Sequence, residues 1–254
     1  NKIKSIREFK DGLIIMKSCF TATGEEIVKD GSGEYVEYYS LGKIKVKGQY
    51  KNGRRTGLWL AFDESENPIS SENYDNGIMN GDCIYYWNNS SQPKLTGKVA
   101  KGKKDGLWSY YYPNGEKLKQ LSFKNGSENG DMKEWFENGK ISVEGSFVNG
   151  VKNGQWIFWL ENGNKDFEGG FNWGLRDGLW TFYSDSTGNK SYAGLYKDDK
   201  RNGEWVFWYP NQNEWKKGNY LNDKKDGLWS YWNESKQLIM QGSFKNGKEN
   251  GEWK

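Results

Sequence analysis

The chain of 254 residues contains no histidine. That removes the Ser-His and Cys-His nucleophile systems and the commonest general base. Only two cysteines are present, Cys19 and Cys83, at unrelated positions, and they read as free thiols rather than a disulfide framework. There is no His-x-His, no Cys-x-x-Cys and no calcium loop ending in Glu, so no metal or cofactor is expected. Leu, Ile and Val are scarce. The longest apolar run, Leu13-Ile14-Ile15-Met16, falls far short of the ~18 residues of a membrane helix. No signal peptide is visible. The chain opens on Asn1 rather than Met and stops just after a Gly-x-Trp, so both ends look trimmed. An envelope or secreted location is the expectation, with the cytoplasm as the alternative. The net charge of +3 is too small to imply nucleic-acid binding. A carboxylate pair could cleave a glycosidic bond, but the acids fall in turns and on polar strand positions, and the chain is not expected to be an enzyme.

What the chain does have is glycine and aromatic rings: 33 Gly, 14 Trp, 16 Tyr and 12 Phe. Gly-x-Trp recurs with a spacing of 24 or 25 residues, or twice that, at Trp59, Trp108, Trp156, Trp180, Trp205, Trp229 and Trp253, with degenerate copies at Tyr35, Cys83 and Met132. A fixed period of this length marks a repeat array.

The unit reads as a β-hairpin. Ile141, Val143, Gly145 and Phe147 alternate with polar residues, the period of a strand. Asn149-Gly150 and Asn153-Gly154 together are expected to form a turn region. Gln155 to Trp159 is then the second strand, with Trp156 and Phe158 on one face and Trp159 on the other. Helix is excluded by glycine or Asn-Gly every eight to twelve residues. Where the spacing is 25, the surplus residue is placed in the turns Asn88–Pro93 and Ser184–Asn189, because turns tolerate insertions. The expected fold is all-β: an elongated single-layer twisted antiparallel sheet of about ten hairpin units of 24–25 residues, on the order of 90 Å long. Residues 31–254 form the array. Residues 1–30 form a degenerate N-terminal cap, with a worn turn at Phe9-Lys10-Asp11-Gly12.

One internal correlation points to a contact. Trp59, Trp108, Trp156, Trp180, Trp205, Trp229 and Trp253 go with Gly48, Gly97, Gly145, Gly169, Gly194, Gly218 and Gly242, while Cys83 goes with Glu72 and Met132 with Leu121. Where the tryptophan is lost, so is the glycine. Each indole is therefore expected to lie across the bare backbone of its glycine on the paired strand.

With the unit written as Gly-x-Phe/Tyr-x-Asn-Gly-x-x-Asn/Asp-Gly-x-Trp, carried by Gly48 to Trp59 and by Gly145 to Trp156, the chain resembles the MORN repeat. It is most similar to the bacterial variant form of YwqK-family antitoxins. The resemblance covers residues 31–254 and implies stacked hairpins in a single-layer sheet curved into a groove. It implies scaffolding, membrane association or partner binding rather than catalysis, and the antitoxin form implies neutralisation of a toxin by binding. Cys83, Met132, Glu72 and Leu121 depart from the pattern.

The candidate partner-binding residues come from two features. A second aromatic row on the face opposite the Gly-x-Trp rings includes Trp135, Trp159, Tyr183, Trp208 and Trp232. A one-layer sheet cannot bury both faces, so one row is open to solvent or a partner. The Asn-Gly turns form a basic rim that includes Arg54, Arg55, Lys103, Lys104, Lys200, Arg201, Lys224 and Lys225. The acidic turn residues Asp198, Asp199 and Asp223 are expected to face solvent. The leading expectation is a non-catalytic scaffold that binds a protein along its aromatic face. A toxin-neutralising immunity protein and an envelope glycan-binding module are the alternatives, and an anionic lipid surface is a further ligand class for the rim.

Overall fold

The computed structural model describes residues 4–10 and 13–254, in two compact units, Asn1–Ser127 and Glu128–Lys254. Among the described residues there is no helix. The first unit opens with a three-stranded sheet of β1 (Lys4–Lys10), β2 (Leu13–Phe20) and β3 (Glu26–Val28). Consecutive antiparallel strands follow: β4 (Gly33–Tyr38), β5 (Ile44–Lys51), β6 (Arg54–Phe62), β7 (Pro68–Asp75), β8 (Ile78–Tyr86), β9 (Pro93–Ala100), β10 (Lys103–Tyr111) and β11 (Lys117–Lys124). At the boundary lies β12 (Ser127–Trp135). The second unit continues with β13 (Ile141–Val148), β14 (Val151–Trp159), β15 (Lys165–Asn172), β16 (Leu175–Tyr183) and β17 (Lys190–Lys197). It ends with β18 (Lys200–Trp208), β19 (Glu214–Leu221), β20 (Lys224–Trp232), β21 (Leu238–Lys245) and β22 (Lys248–Asn250). From β12 onward each strand pairs with the next in sequence, the pattern of an all-β hairpin-repeat sheet.

The hairpin turn is shorter than the sequence implies. Asn149 and Gly150 alone make it, with φ of 52° and 82°, the backbone of a type I′ turn that matches strand twist. The strand β14 already begins at Val151, so Asn153-Gly154 is not part of the turn. Gly154 instead lies inside the strand at φ 79°. The register shows why. Trp180 pairs with Gly169 and Asp177 with Gly170, so Gly178-Leu179 has no partner on β15, although both residues pair with β17 on the other side. The glycine of Gly-x-Trp opens a two-residue bulge, and its left-handed φ is the reason it must be glycine. The residue after it is pushed outward, which leaves Leu58, Leu107, Leu179 and Leu228 about half exposed.

At the other sheet edge, loops such as 63–67 and 160–164 join one hairpin to the next. Loops 87–92 and 184–189 are one residue longer, so the two surplus residues lie outside the strands.

The core of the second unit is one cross-strand row of alternating glycine and tryptophan. Trp156 pairs with Gly169, Gly169 with Trp180, Trp180 with Gly194, Gly194 with Trp205, Trp205 with Gly218, Gly218 with Trp229, and Trp229 with Gly242. Each indole lies on the glycine of the preceding strand. A β-carbon on Gly218 would stand 2.5 Å from Cε2 and Cγ of Trp229. In the first unit Trp59 covers Gly48 and Trp108 covers Gly97 in the same way.

Phe147, Phe171, Tyr196, Tyr220 and Phe244 meet the indoles edge-on, at centroid separations of 5.1–6.2 Å. A single layer thereby buries Trp156, Trp180, Trp205 and Trp229 almost completely. Each ring contributes on the order of a few kcal/mol of gross transfer energy. The indole N–H groups of Trp108, Trp180, Trp205 and Trp229 donate to the carbonyls of Lys98, Gly170, Leu195 and Asn219 at 3.0–3.1 Å. Those of Trp59, Trp156 and Trp253 find no acceptor among the described residues.

Glycine is absent from the first unit's row at two positions: Leu121, which is buried and pairs with Trp108, and Glu72. Glu72 pairs with Cys83 and accepts a 2.8 Å bond from the Tyr74 hydroxyl. At the start of the row, Met16, Cys19 and Val28 from β2 and β3 pack on Tyr35 and Trp59. The Met16 N–H donates to the Gly53 carbonyl at 2.9 Å and ties β2 to the first Asn-Gly turn. Lys10 ends β1, while Asp11 and Gly12 of the expected worn turn lie outside the described residues.

Candidate interaction surface

Strand alternation splits the basic rim into two sets. The two-residue bulge preserves the alternation, so the residue four before each tryptophan shares its face. Arg55 lies 4.2 Å from the Trp59 ring centroid, Lys104 4.3 Å from Trp108, Lys152 4.4 Å from Trp156 and Lys225 4.4 Å from Trp229. Arg176 and Arg201 lie 4.0 and 4.1 Å from the Tyr196 and Tyr220 rings. These cations roof the tryptophan row, and each gains a cation–π attraction. Lys104 and Lys225 also donate to the Tyr110 and Tyr231 hydroxyls, at 2.8 and 3.1 Å. Arg54, Lys103, Lys200 and Lys224 belong to the other face, and the three lysines are exposed.

Asp199 and Asp223 are not simply solvent-facing, contrary to the sequence expectation. They take the second position of a type I′ turn, where other repeats have glycine. Their carboxylates accept from the backbone N–H of Arg176 and Arg201 at 2.9 and 3.0 Å, and from the guanidinium Nε at 2.9 and 3.3 Å. The Arg176 backbone N–H, followed by its guanidinium, holds Asp199 below the usual carboxylate range. The Arg201 backbone N–H, with its guanidinium, does the same for Asp223. The sequence signal was Asp in place of the turn glycine one repeat after an arginine.

The predicted aromatic row, Trp135, Trp159, Tyr183, Trp208 and Trp232, is half-buried throughout. Tyr183 donates to the Glu168 carboxylate, which also pairs with Lys165 at 2.8 Å. Burial, then this bond, pushes the Tyr183 hydroxyl well up. The structure does not bring this row to the basic rim. Lys224 and Trp232 occupy opposite ends of one nine-residue strand, on the order of 25 Å apart at the rise of a β-strand. The predicted binding set is therefore two separate strips.

A third strip was read only in part from the sequence, which sets Phe158, Phe182 and Phe207 beside the tryptophan row but misses Phe167 and Tyr192. On the tryptophan face of the second unit, Phe158, Phe167, Phe182, Tyr192 and Phe207 run side by side with centroids 4.3–5.9 Å apart, all half-buried. The cation roof flanks this lane, and Lys216 closes its far end 4.6 Å from the Phe207 centroid. Burial, then the charge of Lys225, pulls the Lys216 ammonium down. The signal was available in the period-two alternation of Phe167, Tyr192 and Lys216 on the strand before each tryptophan. A strip of this chemistry can bind by apolar contact and charge. Among the described residues no group of His, Cys, Asp and Glu could hold a metal ion.

The family model described as the MORN repeat variant matches residues 32–52, 104–125, 128–149 and 225–246. Each match ends on the asparagine that opens a type I′ turn, at Asn52, Asn125, Asn149 and Asn246. No curated protein matches the chain. A chain of the crystal structure of TcdB2-TccC3-Cdc42 aligns with 97% of this chain and 16% of its own length, at 11% identity and a TM-score of 0.21. That likeness is too low to carry an argument. Between the matched stretches, the hairpins that carry Trp59, Trp156, Trp180 and Trp205 repeat the same turn, bulge and ring geometry, while the one with Glu72 and Cys83 departs from it. Four stretches of the chain thus match the MORN repeat variant, and the strands they cover are paired as β-hairpins.

Proposed function

We propose that the protein is a non-catalytic interaction scaffold. MORN repeats are commonly protein-interaction modules, and the observation that carries the reading is the half-open aromatic lane of the second unit. Phe158, Phe167, Phe182, Tyr192 and Phe207 present a continuous apolar strip. Lys152, Arg176, Arg201 and Lys225 border it with positive charge. The partner best suited is an extended or helical protein segment with apolar residues on one side and acidic residues beside them. Neutralising a toxin would be a narrower use of the same lane.

The test is affinity capture with the wild-type chain and with a Phe182→Ser/Tyr192→Ser variant shown to be folded. A protein that is retained by the first and lost from the second supports the reading. Identical capture profiles contradict it.

A second reading has its own observation. Trp208 and Trp232 flank a hollow of about 320 Å³ whose other walls are Gln212, Asn213, Glu214 and Lys236. Two indoles with hydrogen-bonding side chains between them suit a sugar ring. Silence on a glycan array removes this reading.

A further inference from the structure

The first unit holds a cleft that the repeat scaffold does not require. It has a volume of about 490 Å³ and lies between β1–β2 and the first hairpin turns. Three arginines line it: Arg7 on β1, and Arg54 and Arg55 at the start of β6, where the cleft reaches around the strand end. Among the described residues none of the three is ion-paired with a carboxylate. Arg54 reaches the Asn76 carbonyl at 3.5 Å, and Arg55 donates to the Tyr74 hydroxyl at 3.3 Å while lying over Trp59. The cleft's own carboxylate, Glu37, is matched by Lys45 at 3.0 Å and by the Tyr35 hydroxyl at 3.2 Å. It therefore leaves the three positive charges unbalanced. Much of the remaining wall is apolar, with Ile14, Ile15, Val46 and Ile78, and Asn76 adds a polar edge. Ile14 and Ile78 are 55% and 52% exposed, although both are large apolar side chains.

The geometry points to a binding site for a small organic oxyanion, a carboxylate or phosphate carried on an apolar body. Guanidinium forks match both oxyanions with paired N–H donors, and several around one anion act together. The apolar wall would take the body of the ligand and cover Ile14 and Ile78. A cleft of this volume falls within the range of small-molecule sites. The three arginines come from β1 and from the first Asn-Gly hairpin, so the N-terminal sheet completes the site.

The experiment is calorimetric or NMR titration of the full chain with 3-phenylpropionate, phenyl phosphate and the neutral 3-phenylpropanol. At least one anion is expected to bind at about millimolar concentration or tighter, and the alcohol about tenfold more weakly or worse. Which anion binds tighter assigns the head group. Arg7→Gln and Arg54→Gln should each weaken the anion about tenfold. Circular dichroism and the melting midpoint should stay unchanged, because both side chains reach the open cleft. If Arg54→Gln perturbs the hairpin, Arg7→Gln on the separate sheet reads the same cleft. No binding of either anion at ~10 mM overturns the inference. So does equal binding of the alcohol, or unchanged affinity in Arg7→Gln.

Discussion

The indole of Trp229 lies flat on the backbone of Gly218, and its N–H reaches past that glycine to the carbonyl of Asn219 at 3.1 Å. Trp156 covers Gly145 in the same way, but its N–H has no acceptor among the described residues. The two rings are equally buried, so they separate the hydrogen bond from the packing.

Trp229→Phe should therefore cost more stability than Trp156→Phe. The excess is about 0.5–1.5 kcal/mol, the net worth of a typical hydrogen bond. Because a repeat array can unfold in parts, amide exchange read in the strands flanking each site is the suitable measurement. Equal costs would mean that the indole N–H contributes nothing.

Much of this was legible in the sequence, because each feature is local. Asn149-Gly150 announces a type I′ turn by itself. The pairing of Trp229 with Gly218 could be inferred because Glu72 and Leu121 depart from glycine where Cys83 and Met132 depart from tryptophan. The bulge at Gly154 was not legible. A glycine near Asn-Gly looks like more turn, and only the register shows Gly154 and Gln155 paired with β15 but without partners on β13. The rim was misread for a different reason. Counting charges by turn ignores which face each occupies, so Arg55 and Lys104, which roof rings, were grouped with Arg54 and Lys103, which do not. The cleft between β1–β2 and the hairpin turns had no sequence signal, because Arg7 is far from Arg54 in the chain.

Acid should weaken the second unit through its two aspartate turns. Asp199 and Asp223 have folded-state pKa values depressed from an ordinary 3.8. The unfolded chain therefore takes up these protons first as pH falls. The stabilisation is complete above the ordinary value and is lost as pH drops through the depressed one. Both carboxylates are nearly half exposed, so solvent screens them and each contributes under about 1 kcal/mol. An Asp199→Asn/Asp223→Asn variant should be less stable than wild type at pH 7, and the gap should shrink below about pH 4. Urea melts at a series of pH values check this. A gap that is constant with pH would contradict it.

The two cysteines should be inert in the folded chain. Both are buried and free. Burial, then the charge of Glu72, pushes the Cys83 thiol up to about 11, and burial raises Cys19 as well. At pH 8 the thiolate fraction of Cys83 is then on the order of 0.1%. Iodoacetamide should label the native chain at least about a hundredfold more slowly than the urea-unfolded chain. Rapid labelling of either thiol in native buffer would show that its pocket opens.

The contact between Trp229 and Gly218 is the account's central claim, and a double-mutant cycle at that pair tests it most directly. Gly218→Ala places a methyl group against the ring and should cost about 1–3 kcal/mol in the wild-type background. In a Trp229→Leu background the ring is gone. The same substitution should there be neutral, or stabilising by about 0.4–1 kcal/mol, because alanine restricts the unfolded chain. A coupling above about 1 kcal/mol between the two sites is the predicted result. Equal costs of Gly218→Ala in both backgrounds would contradict it.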